Sequence, residues 1–83
     1  MITELHVDII GWSGAILVLV AYAMVSSAKL TGDDLRYQIL NLFGSIFLLI
    51  NAFYHHALPS SVVNVIWIMI AIYMLVRIMK RNK

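Results

Sequence analysis

Charged residues divide the chain into three uncharged windows, Ile9 to Ala28, Tyr37 to Leu58 and Pro59 to Val76. Each is close to the ~20 residues a helix needs to cross a ~30 Å hydrocarbon core at ~1.5 Å per residue. The pattern predicts one all-α membrane domain over residues 1–83, a bundle of three transmembrane helices at roughly 9–28, 37–55 and 59–79. Lys29 to Arg36 joins the first two, with Gly32 expected to end one helix and Thr31 or Asp33 to cap the next. Only His55 to Ser60 is left between the last two, so they should be adjacent and antiparallel. Pro59 suits the first turn of the third helix, where its missing N–H would have had no partner anyway.

Composition strengthens this picture. Of 83 residues, 63% are hydrophobic and 12% charged, against roughly half and a quarter in an ordinary soluble domain. A water-soluble fold of this size buries only about 60–65% of its unfolded surface and would leave much of that apolar area in water. There are no cysteines, which excludes disulfides, thiolate metal sites and thiol nucleophiles. The basic residues form no stripe interleaved with aromatics, so nucleic acid is not an expected partner.

The cations set an orientation. Lys29 and Arg36 lie in the first loop and Arg77, Lys80, Arg81 and Lys83 in the tail, while the N-terminus and second loop have none. The positive-inside rule then places the first loop and tail in the cytoplasm and the N-terminus and His55-His56 outside. The triplet Ala21-Tyr22-Ala23 looks like a signal-peptidase site, but Glu4, His6 and Asp8 stand where such a peptide is positive and the apolar run continues beyond it. The first segment is therefore expected to stay in the mature protein.

Polar groups in hydrocarbon are costly unless partnered, and few occur here. On the second helix Asn41, Gly44 and Ser45, Leu48, and Asn51 and Ala52 recur every three to four residues, a stripe that must face protein or a watery cavity. The third helix offers Asn64, with Trp67 one turn further on and needing a partner for its indole N–H. Gly11, Ser13, Gly14 and Ala15 on the first helix permit close backbone approach. Asn51 and Asn64 either fasten helices together as an amide pair or line a solute cavity, and the residues themselves leave both open. Trp12 and Tyr73 suit interfacial belts. Adjacent His55 and His56 diverge on a turn, so no metal site is expected. No catalytic triad, P-loop or dinucleotide signature is present, so neither an enzyme nor a cofactor is expected.

The arrangement resembles the SemiSWEET branch of the SWEET and PQ-loop transporters, three-helix half-transporters of bacteria. The likeness rests on Gly11-Trp12 opening the first helix, Tyr54 closing the second, and Pro59-Ser60-Ser61-Val62-Val63-Asn64, with proline five residues before asparagine. A closer likeness is to small uncharacterised bacterial membrane proteins labelled permeases, through Tyr37-Gln38-Ile39-Leu40-Asn41-Leu42 and the Asn51-Ala52-Phe53-Tyr54-His55 segment. The SemiSWEET resemblance implies a parallel homodimer in the bacterial inner membrane, with a central cavity opening alternately to either side for a small neutral sugar. It places the family's helix-three asparagine on Asn64. The chain departs from that family twice: its helix-two tryptophan falls on Asn51, and its Pro-Gln hinge on Met24-Val25.

Two functions follow as expectations. One is facilitative transport of a small neutral or zwitterionic solute, sugars included. Asn51 and Asn64 would line its cavity, Trp67 and Tyr22 wall it, and Asn41 and Ser45 approach the inner gate. No buried acid is available for proton coupling. The other is a non-transporting accessory or scaffold protein in which the same asparagines hold helices together. A symmetric pair would bury the polar stripe in either case.

Overall fold

The computed structural model describes residues 3–81, in which three helices follow in order: α1 (Glu4–Ser26), α2 (Leu35–Tyr54) and α3 (Leu58–Arg81). All three are long and apolar enough to cross a membrane. The molecule's long axis spans 42 Å, about a hydrocarbon core plus its interfacial regions. The Lys83 assigned to the basic tail lies outside the described residues.

Helix ends are set by local hydrogen bonding, and they correct several of the expected boundaries. α1 starts at Glu4, because Thr3 and His6 form a reciprocal cap: the His6 amide donates to Thr3 Oγ1 at 3.3 Å and the Thr3 amide to His6 Nδ1 at 3.3 Å. It ends at Ser26, well before Gly32. There Ala28 takes the left-handed conformation (φ 64°), and the amides of Ala28 and Lys29 donate to the carbonyls of Val25 and Met24. α2 closes in the same way. His56 (φ 58°) is the left-handed residue, with His56 and Ala57 donating to Phe53 and Ala52. Only His55, His56 and Ala57 then separate α2 from α3, the tight hairpin that the sequence predicts. Asp34, rather than Thr31 or Asp33, caps α2, its carboxylate accepting from the Arg36 amide at 2.9 Å.

α2 lies in the middle. It packs on both α1 and α3, whereas no described residue of α1 has its Cα within 8 Å of one in α3. The expectation of three helices long and apolar enough to span a membrane is met, but they form an open arrangement about α2 instead of a closed bundle. The reason lies in the buried positions. On α1 these are Val7, Gly11, Gly14 and Ala21, a stripe at four- and three-residue spacing that fits one partner helix. α3 buries Ser61, Ala71 and Ile78, and the short hairpin commits that stripe to α2. The interior is thus built from small and polar residues, while large side chains such as Trp12, Leu19, Tyr22, Phe53 and Met69 are exposed.

The closest approach is between Gly14 and Gly44. A Cβ placed on Gly14 would lie 2.7 Å from Phe47 Cβ and 2.8 Å from the Gly44 carbonyl oxygen. One on Gly44 would lie 2.6 Å from Val18 Cγ2. The two glycines let the backbones meet where van der Waals contact is the main source of helix association in lipid.

At the end opposite the hairpin, the α1–α2 loop is fastened to α3. Arg81 Nη1 donates to Asp33 Oδ2 at 3.2 Å, and Arg36 pairs with Asp34 at 3.1 Å. The Thr31 hydroxyl, followed by Arg81, holds the Asp33 carboxyl below its ordinary value of 3.8. Arg36 does the same for Asp34. A carboxylate with a depressed folded-state pKa contributes stability above its unfolded value and loses it as pH falls through the folded one. The melting temperature is therefore expected to drop as pH falls below 3.8. Melting curves between neutral pH and about pH 3 should show a smaller drop for Asp33→Asn than for the wild type.

Candidate functional site

The polar stripe of α2 is an inward one. Gln38, Asn41 and Ser45 are 4%, 8% and 0% exposed, and their spacing of three and four residues keeps them on one side of the helix. Their hydrogen bonding is incomplete. Gln38 Nε2 donates to the Gly32 carbonyl at 2.6 Å, but Gln38 Oε1 and Ser45 Oγ are buried without a partner. An unsatisfied group inside a membrane span costs roughly 1–3 kcal/mol.

Asn51 is on the same helix near the hairpin and turns to α1, donating from Nδ2 to the Val7 carbonyl at 3.0 Å. Gly11 makes room for it, since a Cβ there would sit 2.6 Å from Asn51 Cγ. Beside this bond lies a hollow of about 310 Å³ lined by Asp8, Gly11, Trp12, Ala15, Asn51 and His55. Two residue pairs four apart build it, Asp8 and Trp12 on α1, and Asn51 on α2 with His55 at its C-cap, so each pair offers adjacent turns of one face. The His55 ring meets Tyr54 edge-on with centroids 5.3 Å apart, and its Nε2 stands 3.6 Å from Asp8 Oδ1.

Asn64 is elsewhere. Its Nδ2 donates to the Ser60 carbonyl of its own helix at 2.9 Å, and it lines a separate hollow of about 270 Å³ with Pro59, Ser60 and Val63. Asn51 and Asn64 therefore form no amide pair within the chain. Tyr22 and Trp67 are exposed on α1 and α3 and line neither hollow. Another hollow, of about 610 Å³ between α2 and α3, is walled by Leu49, Ile50, Phe53, Leu58, Val62 and neighbours. Its one hydroxyl, that of Ser61, already donates to the Ala57 carbonyl at 2.9 Å.

Within one chain, then, the structure joins Asn51 to Asp8, Trp12 and His55. The sequence sets Asp8 against a signal peptide and on the same side as His55, suits Trp12 to an interfacial belt and gives His55 no metal-ligand geometry. The signal was present as two pairs four residues apart on ends predicted to share one side, but no single stretch contains it. Among the described residues no group of three or more His, Cys, Asp or Glu is placed to hold a metal.

A model of an uncharacterised family matches residues 7–83. No curated protein and no solved structure matches the chain.

Proposed function

We propose, from the premise that this chain belongs to that uncharacterised family, that it is a facilitative transporter of a small neutral or zwitterionic solute. The observation that carries this reading is the line of hydrogen-bonding side chains along α2. It runs from Asn51 at the hairpin end through Ser45 and Asn41 to Gln38, with two of its buried oxygens unpartnered. Such groups are expensive in a span whose only task is structural and useful in one that passes a hydrated solute. The SemiSWEET resemblance and the positive-inside reading, with the hairpin outward, support the same function. Because α1 and α3 do not meet, one chain encloses no path. A parallel pair in the bacterial inner membrane is the assembly that supplies the missing wall, alternating access following from movement at the shared surface.

Ser45→Ala gives a clean test, because the Ser45 hydroxyl belongs to this line and is buried without a partner. In proteoliposomes screened with sugars, amino acids, small amines and nucleosides, the variant should lower uptake of the active solute roughly tenfold or more. Its melting temperature should stay within ~4 °C of the wild type. The accessory reading is favoured by the Asn51 bond to Val7, which fastens two helices without any solute. No uptake and no solute-induced thermal shift across the screen would decide for it.

A further inference from the structure

The hollow between α1 and α2 at the hairpin end brings a carboxylate, an indole and an amide together. Asp8, half exposed at its rim, accepts no hydrogen bond among the described residues, and its nearest basic neighbour, His55 Nε2, is 3.6 Å away. Trp12 stands one turn along the same helix and lines the same hollow, placing an indole beside a carboxylate. Asn51 Oδ1 remains available, since the hydrogen bond to Val7 uses the amide nitrogen. The volume of about 310 Å³ is at the small end of ligand pockets, which run roughly 300–1,000 Å³.

The surroundings give the hollow its sign. Lys29, Arg36, Arg77, Lys80 and Arg81 all lie on or near the opposite end, in the α1–α2 loop, at the start of α2 and in the last turns of α3, whereas Glu4 and Asp8 stand at the hairpin end. At this end α1 and α3 begin and α2 ends; the α1 and α2 ends that flank the hollow offset one another, and the start of α3 adds a further positive end. Asp8 is the one carboxylate that lines the hollow, and no Lys or Arg lines it. A carboxylate next to an indole is a pairing that holds a positively charged nitrogen, by charge on one side and by the ring's negative face on the other.

We propose that this hollow binds the ammonium group of a small organic solute, with Asp8 as counter-ion, Trp12 as the aromatic wall and Asn51 as a hydrogen-bonding partner. The inference rests on the transport reading for its purpose, and it narrows the solute from neutral or zwitterionic to ammonium-bearing.

Tryptophan fluorescence of the detergent-solubilised protein tests it directly. In a Trp67→Phe background Trp12 is the only tryptophan left. Choline chloride and glycine betaine are titrated against glucose, sodium chloride and magnesium chloride at matched ionic strength. The expected result is a saturable change with choline or glycine betaine, with no such change from glucose or either salt. Asp8→Asn should weaken the response about fivefold, and a Trp12→Leu protein retaining Trp67 should lose most of the thermal shift given by the same probe. An equal response in Asp8→Asn, or one that magnesium chloride reproduces, overturns the site. Proteoliposome uptake separates this inference from the one beneath it. Saturable choline binding without uptake keeps the site and removes transport, and uptake of glucose with no choline response keeps transport and removes the site.

Discussion

Replacing Gly14 with alanine is expected to destabilise the protein more than any other single-methyl addition. The new Cβ would lie 2.8 Å from the Gly44 carbonyl oxygen and 3.0 Å from the Leu48 amide nitrogen. Both are backbone atoms, so no side-chain rotation relieves the clash and α1 must move off α2. Overpacking of this kind costs about 1–3 kcal/mol or more. Here it also removes contacts along the neighbouring Val18 and Phe47, which pack around the same crossing. Gly32→Ala is the matched control. Nothing stands within 4 Å of a Cβ at Gly32, and the residue has an ordinary negative φ. Melting curves in detergent should show a large drop for Gly14→Ala and little change for Gly32→Ala. Equal behaviour of the two would mean that the Gly14 and Gly44 backbones do not meet.

Asn51→Ala is the second large expected effect, and it reads on stability and function together. The substitution removes the bond to Val7 and empties the space that Gly11 leaves for the amide. An interhelical hydrogen bond in a membrane protein is worth roughly 0.6–2 kcal/mol, so a loss of about 2 kcal/mol is expected once the void is included. The Val7 carbonyl is not orphaned, because a mid-helix carbonyl has its regular partner four residues on. If Asn51 only fastens α1 to α2, the whole effect appears in the melting temperature. If it also lines the solute hollow, uptake falls further than the loss of folded protein accounts for. Measuring both on the same preparation separates the two roles.

Much of this architecture was legible in the chain. Three uncharged windows are a length argument, and length depends only on the rise of a helix and the thickness of a bilayer. The short hairpin was legible for the same reason, since three residues cannot carry α3 away from α2. The small residues of α1 pointed correctly to a close backbone contact. The inward stripe of Asn41 and Ser45 followed from helical period alone.

The helix ends were read less well, because a cap is a local competition between hydrogen bonds. Ala28 and His56 took left-handed positions that composition assigns to glycine, and Thr3 recruited His6 to begin α1 five residues early. The candidate site was the least legible part. Asp8 and Trp12 are separated by some forty residues from Asn51 and His55, and only the antiparallel packing of α1 on α2 through Gly11 and Gly14 sets them around one hollow. That packing likewise separated Asn51 from Asn64, because α2 turns its Asn51 to α1 while α3 holds Asn64 on its own backbone. The sequence by itself determined how many helices form, roughly how long they are and which face of α2 turns inward, since those follow from local period and transfer energy. Which of those residues meet was decided only in the tertiary structure, because it depends on which backbones can approach each other, and here two glycines settle it.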